Sequence, residues 1–235
     1  MGIRSSRAGI VVCVDSDVVC TPSFLTKLLG ALGAHKNWVA AEASVIPIEG
    51  SDSPLWDAPY NKGGAYLTAA SAYRMEGLVC AGGFDETMVV CEDPELATRL
   101  FRLGEYGYVP DAVVYHPRRR VTLRTHWQSR RHWKYVMILA KRHGFLAFPG
   151  KSAGRFPRVR VALAAVVTLP AGRFIEGMRH LRNNVRIGAL ACAYAIFDVF
   201  CGLCALPEIL FSKVPPQRNY LVREEGAPSS AHEVG

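Results

Sequence analysis

Gly9 to Val14 is a continuous apolar run, rich in β-branched residues, that stops abruptly at Asp15-Ser16-Asp17. An unbroken run of this kind reads as a parallel strand buried on both faces and ending at its carboxyl edge; a half-buried strand would alternate instead. Thr21 then predicts a helix N-cap, with Pro22 at the first helical position. Phe24, Leu25, Leu28, Leu29 and Leu32 share one face of that helix before Gly33 stops it. A strand, a turn carrying two acids and a helix commit the chain to a layered α/β architecture.

The alternation continues along the sequence. Trp38 to Ile46 predicts a second strand closed by Pro47, and Glu49 to Lys62 an acidic loop without periodicity. Gly63 to Tyr73 predicts a returning strand, followed by a short helical turn into Gly82-Gly83-Phe84-Asp85. At Cys91-Glu92-Asp93-Pro94 another helix opens, with Asp93 as its cap, Leu96, Leu100 and Leu103 as its apolar face, and Gly104 at its end. Tyr108 to Tyr115 reads as a strand ending at His116, and Leu123 to His143 as one helix closed by Gly144. With 235 residues, half of them apolar, the chain is ample for a globular core.

Charge is unevenly distributed. Residues 1–111 carry 8 Lys+Arg against 14 Asp+Glu, residues 112–175 carry 14 against none, and residues 176–235 carry 6 against 6. A basic block of this density seeks phosphate on a nucleotide, a nucleic acid or a lipid. Nucleic acid is the weakest of these, because no recognition motif accompanies the Arg and Trp residues between His116 and Lys134, and the acidic front would repel a polyanion.

Ile187 to Phe211 is long enough to cross a hydrocarbon core, with only Asp198 and Glu208 charged, whereas the apolar run Val159 to Ala171 is too short to span. Together they suit interfacial helices beside an anionic membrane surface, and a buried helical hairpin is the alternative. The N-terminal run before Asp15 is too short for a signal peptide, and seven scattered cysteines read as reduced thiols of a cytosolic protein. The expected localisation is the cytoplasmic face of the membrane, peripheral or single-span.

Asp15 and Asp17, two apart at a strand end, can direct both carboxylates out of one sheet edge, a natural place for a hard divalent cation shared with substrate phosphates. Three further stretches accompany them in order: Gly82-Gly83-Phe84-Asp85-Glu86, Glu92-Asp93-Pro94-Glu95-Leu96 with Arg99, and Gly107-Tyr108 with Pro110 and His116. In combination the four resemble the back half of the catalytic domain of family 2 glycosyltransferases, inverting enzymes of the GT-A fold that use nucleotide-sugar donors, over about residues 8 to 145.

The resemblance implies an α/β fold: an incomplete GT-A (Rossmann-like) mixed sheet with flanking helices at residues 1–145, then a basic and apolar helical membrane-associating region at 146–215 and a disordered tail at 216–235. It implies that Asp15, Asp17 and His116 hold Mg or Mn and the donor diphosphate, that Asp93 is the general base, and that Glu92 flanks it and positions the acceptor. Gly82, Gly83, Phe84 and Asp85 would shape the acceptor side. Gln128, Arg131 and Trp133 are similar to the Gln-x-x-Arg-Trp signature of processive synthases, but His132 stands where Trp belongs, so processivity is not implied. The expected partners are a nucleotide-sugar donor, a glycan or lipid-linked acceptor, and a membrane surface. In such a domain roughly 80 to 100 residues precede the Asp-x-Asp, so the resemblance implies either a fragment or truncated product, or a missing amino-terminal half supplied by another chain. The alternative is an inactive, membrane-associated remnant or partner subunit.

Overall fold

The structure, a computed structural model, describes residues 2–48, 56–144, 154–219 and 221. After a short helix α1 (Gly2–Ser5), the elements are β1 (Ile10–Val14), β2 (Val19–Cys20), α2 (Phe24–Ala34), β3 (Trp38–Pro47), β4 (Trp56–Asp57), β5 (Ala70–Arg74), α3 (Met75–Cys80), α4 (Glu92–Leu100), β6 (Glu105–His116) and β7 (Arg119–Arg120). Helices α5 (Leu123–Ser129) and α6 (His132–His143) follow. Beyond them α7 (Pro157–Leu163) runs through a π-helical turn (Ala164–Thr168) into α8 (Leu169–Leu181), and α9 (Val185–Phe211) folds back on it.

Five strands form a mixed sheet in the order β1-β5-β3-β6-β2. Only β3 and β6 run parallel; β1 with β5, β3 with β5 and β2 with β6 are antiparallel. This is the expected mixed α/β sheet with flanking helices and apolar carboxyl-terminal helices, with one correction. The Gly9–Val14 run forms not a buried parallel strand but an antiparallel edge strand, half-buried along most of its length. Its residues are apolar on both faces because Val11 and Cys13 pack toward Tyr73 while Ile10 and Val12 pack beneath α2.

Side chains alternate across a strand, so each strand builds two layers at once. Ala41, Ala43 and Val45 of β3 meet Phe24, Leu28 and Leu32 of α2, spaced four apart on one helical face. On the opposite face, Ala40 lies with Tyr73, Leu78, Leu96 and Leu100 under α3 and α4. That second face also buries Glu42, Ser44 and Ser71.

The helix expected from Thr21 begins at Phe24, because the Thr21 hydroxyl donates to the Val113 carbonyl at 3.0 Å and ties the turn to β6 instead of capping. Gly33 lies inside that helix, which ends at Ala34. The strand expected from Gly63 starts only at Ala70. Within β6, Pro110 lacks an amide for the ladder, and the β3–β6 register shifts between Ala43 and Ser44. The Ser44 hydroxyl donates to the Pro110 carbonyl at 2.9 Å and pairs with the Tyr108 hydroxyl at 2.7 Å, closing the gap.

Gly107 permits the closest approach in the sheet. A Cβ there would lie 2.1 Å from the Trp38 ring, which stacks on His35. Gly107→Ala is expected to cost about 1–3 kcal/mol by overpacking, read as a lowered urea midpoint with an unchanged slope.

The helix expected over Leu123–His143 is broken at Arg130–Arg131 into α5 and α6, and α6 ends at Gly144 in the left-handed conformation, φ 76°. The Val159–Ala171 run lies in a continuous 25-residue helix, Pro157–Leu181, long and apolar enough to cross a membrane by length and composition, as is Val185–Phe211 with 27 residues. Gln217 to Asn219, expected within a disordered tail, are instead packed: Glu86 N donates to Arg218 O and Asn219 bridges to Asp85. Residues 220 and 222–235 of that tail, and 49–55 of the loop Glu49–Lys62, lie outside the described residues.

Candidate active site

The acidic turn and the end of β6 meet at one edge of the sheet. Asp15 leaves β1, Asp17 follows two residues on, and His116 closes β6, which crosses back from a hundred residues away. Their potential ligand atoms all lie within 4.8 Å of one another. His116 is fully buried, and its Nδ1 pairs with the Pro117 carbonyl at 2.8 Å. A carbonyl can only accept, so Nδ1 carries a proton, and in the neutral imidazole the lone pair is on Nε2. That Nε2 is buried without a hydrogen-bond partner, 3.5 Å from Asp15 Oδ2 and 3.6 Å from Asp17 Oδ1.

These residues fit a divalent cation. Ligands about 2.1 Å from an octahedral Mg or Mn stand about 3 Å apart when adjacent and about 4.2 Å when opposite, and the 3.5 and 3.6 Å from His116 Nε2 to the two carboxylates fall within that range. Two carboxylate oxygens and an imidazole are also a donor set such ions accept. Arg119 on β7 adds a cation at the same edge, pairing with Asp17 Oδ2 at 2.7 Å, and this hydrogen bond holds the Asp17 carboxyl below its ordinary value.

Glu92 and Asp93 open α4 on the polar face of the sheet. The residue before them, Cys91, has φ 64°, a left-handed conformation that a non-glycine residue rarely adopts. Asp93 does not cap the helix. Its Oδ2 accepts from the Thr68 amide at 3.1 Å, while Oδ1 is buried with no partner. Burial pushes the Asp93 carboxyl up, and the charge of Asp15 adds to the shift. Burial likewise raises Glu92, with further contributions from Asp93 and Asp15. Asp15 thus couples the cation cluster to the acidic pair. The thiols of Cys13 and Cys91 are driven up by burial, to about 11 and about 12, and stay protonated near neutrality; neither is a nucleophile there.

Several participants escaped sequence reasoning. Glu42, the one charged residue in the Trp38–Ile46 run, is buried and accepts from Asn61 Nδ2 at 2.8 Å, from the Tyr66 amide at 2.7 Å and from the Gly64 amide. It folds the segment 61–66 over the sheet, and Thr68 just beyond holds Asp93. A lone acid in an apolar strand was the available signal. Thr68 and Arg119 carried none.

Gly82 and Gly83, at φ 80° and 73°, face the carboxyl-terminal segment: a Cβ on either would lie 2.6 Å from Asn219 or 2.7 Å from Leu221. Phe84 packs partly buried beside Leu78 and Leu96. Asp85 is buried and accepts from Arg142, from the Thr87 amide and hydroxyl, and from the Arg218 amide. In this stretch, then, the glycines and the acid seat residues 218, 219 and 221, and the direct connection to Asp15, Asp17 and His116 runs through α4 instead. Beside it, Glu95 is buried between Arg99, paired at 2.6 Å, and His143 at 3.0 Å.

No family model and no curated protein matches the sequence. Among solved structures the chain is similar to a mannosyltransferase of Pyrobaculum calidifontis, determined in complex with GDP-Man and Mn2+, at a TM-score of 0.47 and 18% identity over 86% of this chain. The chain spans 64% of the length of that neighbour.

Proposed function

We propose that this chain carries the catalytic residues of an inverting, metal-dependent glycosyltransferase of the family 2, GT-A type, acting on a nucleotide-sugar donor. One observation carries the reading: the buried, unpartnered Nε2 of His116 set between Asp15 and Asp17. Asp15, Asp17 and His116 would hold Mg or Mn, which when bound offsets charge on a diphosphate leaving group. Arg119 adds a guanidinium suited to phosphate oxygens.

Asp93 would accept the proton of the acceptor hydroxyl as that oxygen bonds to the anomeric carbon and the bond from that carbon to the diphosphate oxygen breaks. A single displacement of this kind inverts the anomeric configuration. The partnerless Oδ1 of Asp93 supports this role, since Thr68 leaves it free while fixing Oδ2. Glu92 would orient the acceptor, and Gly82, Gly83, Phe84 and Asp85 would border the acceptor side through the segment they anchor. The acceptor would be a lipid-linked or cell-surface glycan precursor at the cytoplasmic face of the membrane. The outer edge of β1 pairs with no strand among the described residues, which leaves its backbone groups open to further strands.

The test is calorimetric binding of UDP, GDP and dTDP to the purified chain with Mn present and then removed by a chelator. Metal-dependent binding that His116→Ala weakens by at least about tenfold supports the reading. Binding indifferent to both chelator and His116→Ala overturns the metal assignment. The base must be deprotonated to act, and Asp93 sits above the ordinary value of 3.8. The transfer rate is therefore expected to rise with pH through a value above that of an exposed aspartate, read as the acid limb of the pH–rate profile.

A further inference from the structure

We infer that the helical hairpin α8–α9 lies in the plane of an anionic membrane surface, half-sunk in the headgroup region, and does not cross the bilayer. The argument starts from Asp198, at the centre of α9. Its carboxylate is taken up by His126 of α5 and by Arg173 of α8, the latter at 2.7 Å, with Tyr194 and Phe197 ringing the imidazole at 5.3 and 5.7 Å. At 100° per residue, Val185, Ile196, Phe200, Leu203 and Phe211 fall within about 80° of one another, and Asp198 lies on the opposite side of the helix. Those five are the exposed large apolar residues of α9, between 50% and 78% accessible. The neighbouring helix adds Val159, Leu163, Val167, Ile175 and Met178, all about half exposed.

The orientation follows from what covers the buried side. Leu123 of α5 borders an apolar pocket with Leu190, Ala193 and Tyr194; His126 of α5 meets Asp198; Met137 and Ala140 of α6 pack with Ala205 and Ile209. Contacts with α5 and α6 therefore extend from residue 190 to residue 209, about 28 Å of helix, nearly the thickness of a hydrocarbon core. Along that length α5, α6 and the turn between them carry Arg124, Arg130, Arg131, Lys134 and Lys141. An α9 set across the bilayer would draw these cations, together with Asp198, through the apolar interior, where each charge is costly. Laid flat, the same helix keeps its apolar stripe in the acyl boundary and its basic neighbours among anionic headgroups.

Flotation of the full chain with preformed vesicles tests this. The chain is expected to bind phosphatidylcholine vesicles containing 30% phosphatidylserine, to bind pure phosphatidylcholine more weakly, and to lose binding as salt is raised. The double substitution Ile196→Asp with Leu203→Asp is expected to lower binding by about tenfold or more while leaving circular dichroism and thermal unfolding unchanged. For orientation, Asn183→Cys in the α8–α9 turn is treated on intact vesicles with an impermeant PEG-maleimide. One adduct more than wild type is expected without detergent, because both helix ends stay on the side of addition. An extra adduct that appears only after detergent would mean that the hairpin spans. Absence of vesicle binding, or a dimer in solution that the double substitution dissolves while vesicle binding is missing, would equally overturn the assignment.

Discussion

Asp93→Asn is expected to lower sugar transfer by about 10²- to 10⁴-fold while leaving metal-dependent donor binding within about twofold. Asparagine matches aspartate in shape, and its carbonyl can still accept from the Thr68 amide. What it lacks is the ability to take a proton. The same substitution has a second, opposite readout. Burial raises the Asp93 carboxyl, so the folded state favours its protonated form; that favourable contribution is complete at low pH and is lost as pH rises through the raised value. At pH 7 the wild type carries the cost of a buried carboxylate and Asp93→Asn does not, so the variant is expected to melt at a higher temperature. Slower turnover with higher stability is the signature of a group strained for function. Retained turnover would place the base elsewhere, and a lowered melting temperature would make Asp93 a structural acid.

Asp85→Ala is expected to destabilise the fold by about 3–5 kcal/mol, because it leaves the Arg142 guanidinium buried without its carboxylate. Burial pushes the Asp85 carboxyl up, but the hydrogen bonds from Thr87, from the Arg218 amide and from Arg142 together bring it below its ordinary value of 3.8. Its contribution is therefore complete above that pH and is lost as pH falls through the lowered value. Arg142 also donates to Thr87 and to the Pro215 carbonyl, so the segment before Gln217 is expected to become protease-sensitive along with the loss of stability. Replacing both members, as Asp85→Ala with Arg142→Met, is expected to recover part of the loss, since neither partner is then left as a lone buried charge. An unchanged urea midpoint for Asp85→Ala would remove the anchoring role and return this stretch to a purely acceptor-facing one.

Both residues were legible in the sequence, but for different reasons and to different depths. Asp93 stands out through its place at the start of an amphipathic helix, and Asp85 through the glycines before it. The partners that define them, Thr68 for one and Arg142 with Arg218 for the other, are separated from them by 25 to 133 residues and carry no local pattern. The break of the expected Leu123–His143 helix is similar. Helical spacing continues through Arg130 and Arg131, yet α5 must reach Asp198 while α6 must reach Ala205 and Ile209. Periodicity cannot register two docking demands on one stretch of chain.

By itself the sequence determined the elements whose cause is local: the β-branched strands, the amphipathic faces of α2 and α4, the left-handed end of α6 at Gly144, and the two-residue spacing that sends Asp15 and Asp17 out of one edge. Periodicity and turn chemistry act within a few residues and need no partner to be read. Tertiary structure alone decided that β1 runs antiparallel at the sheet edge, that Glu42 folds a loop across the polar face, and that the central acid of α9 turns away from its apolar stripe. It also set the His116 Nε2 between the two aspartates, with the Pro117 carbonyl holding a proton on the far nitrogen. Such placements depend on which strand and helix faces meet, and burial enforces them: an unpaired polar group is tolerated in the interior only where the surrounding fold holds it in place.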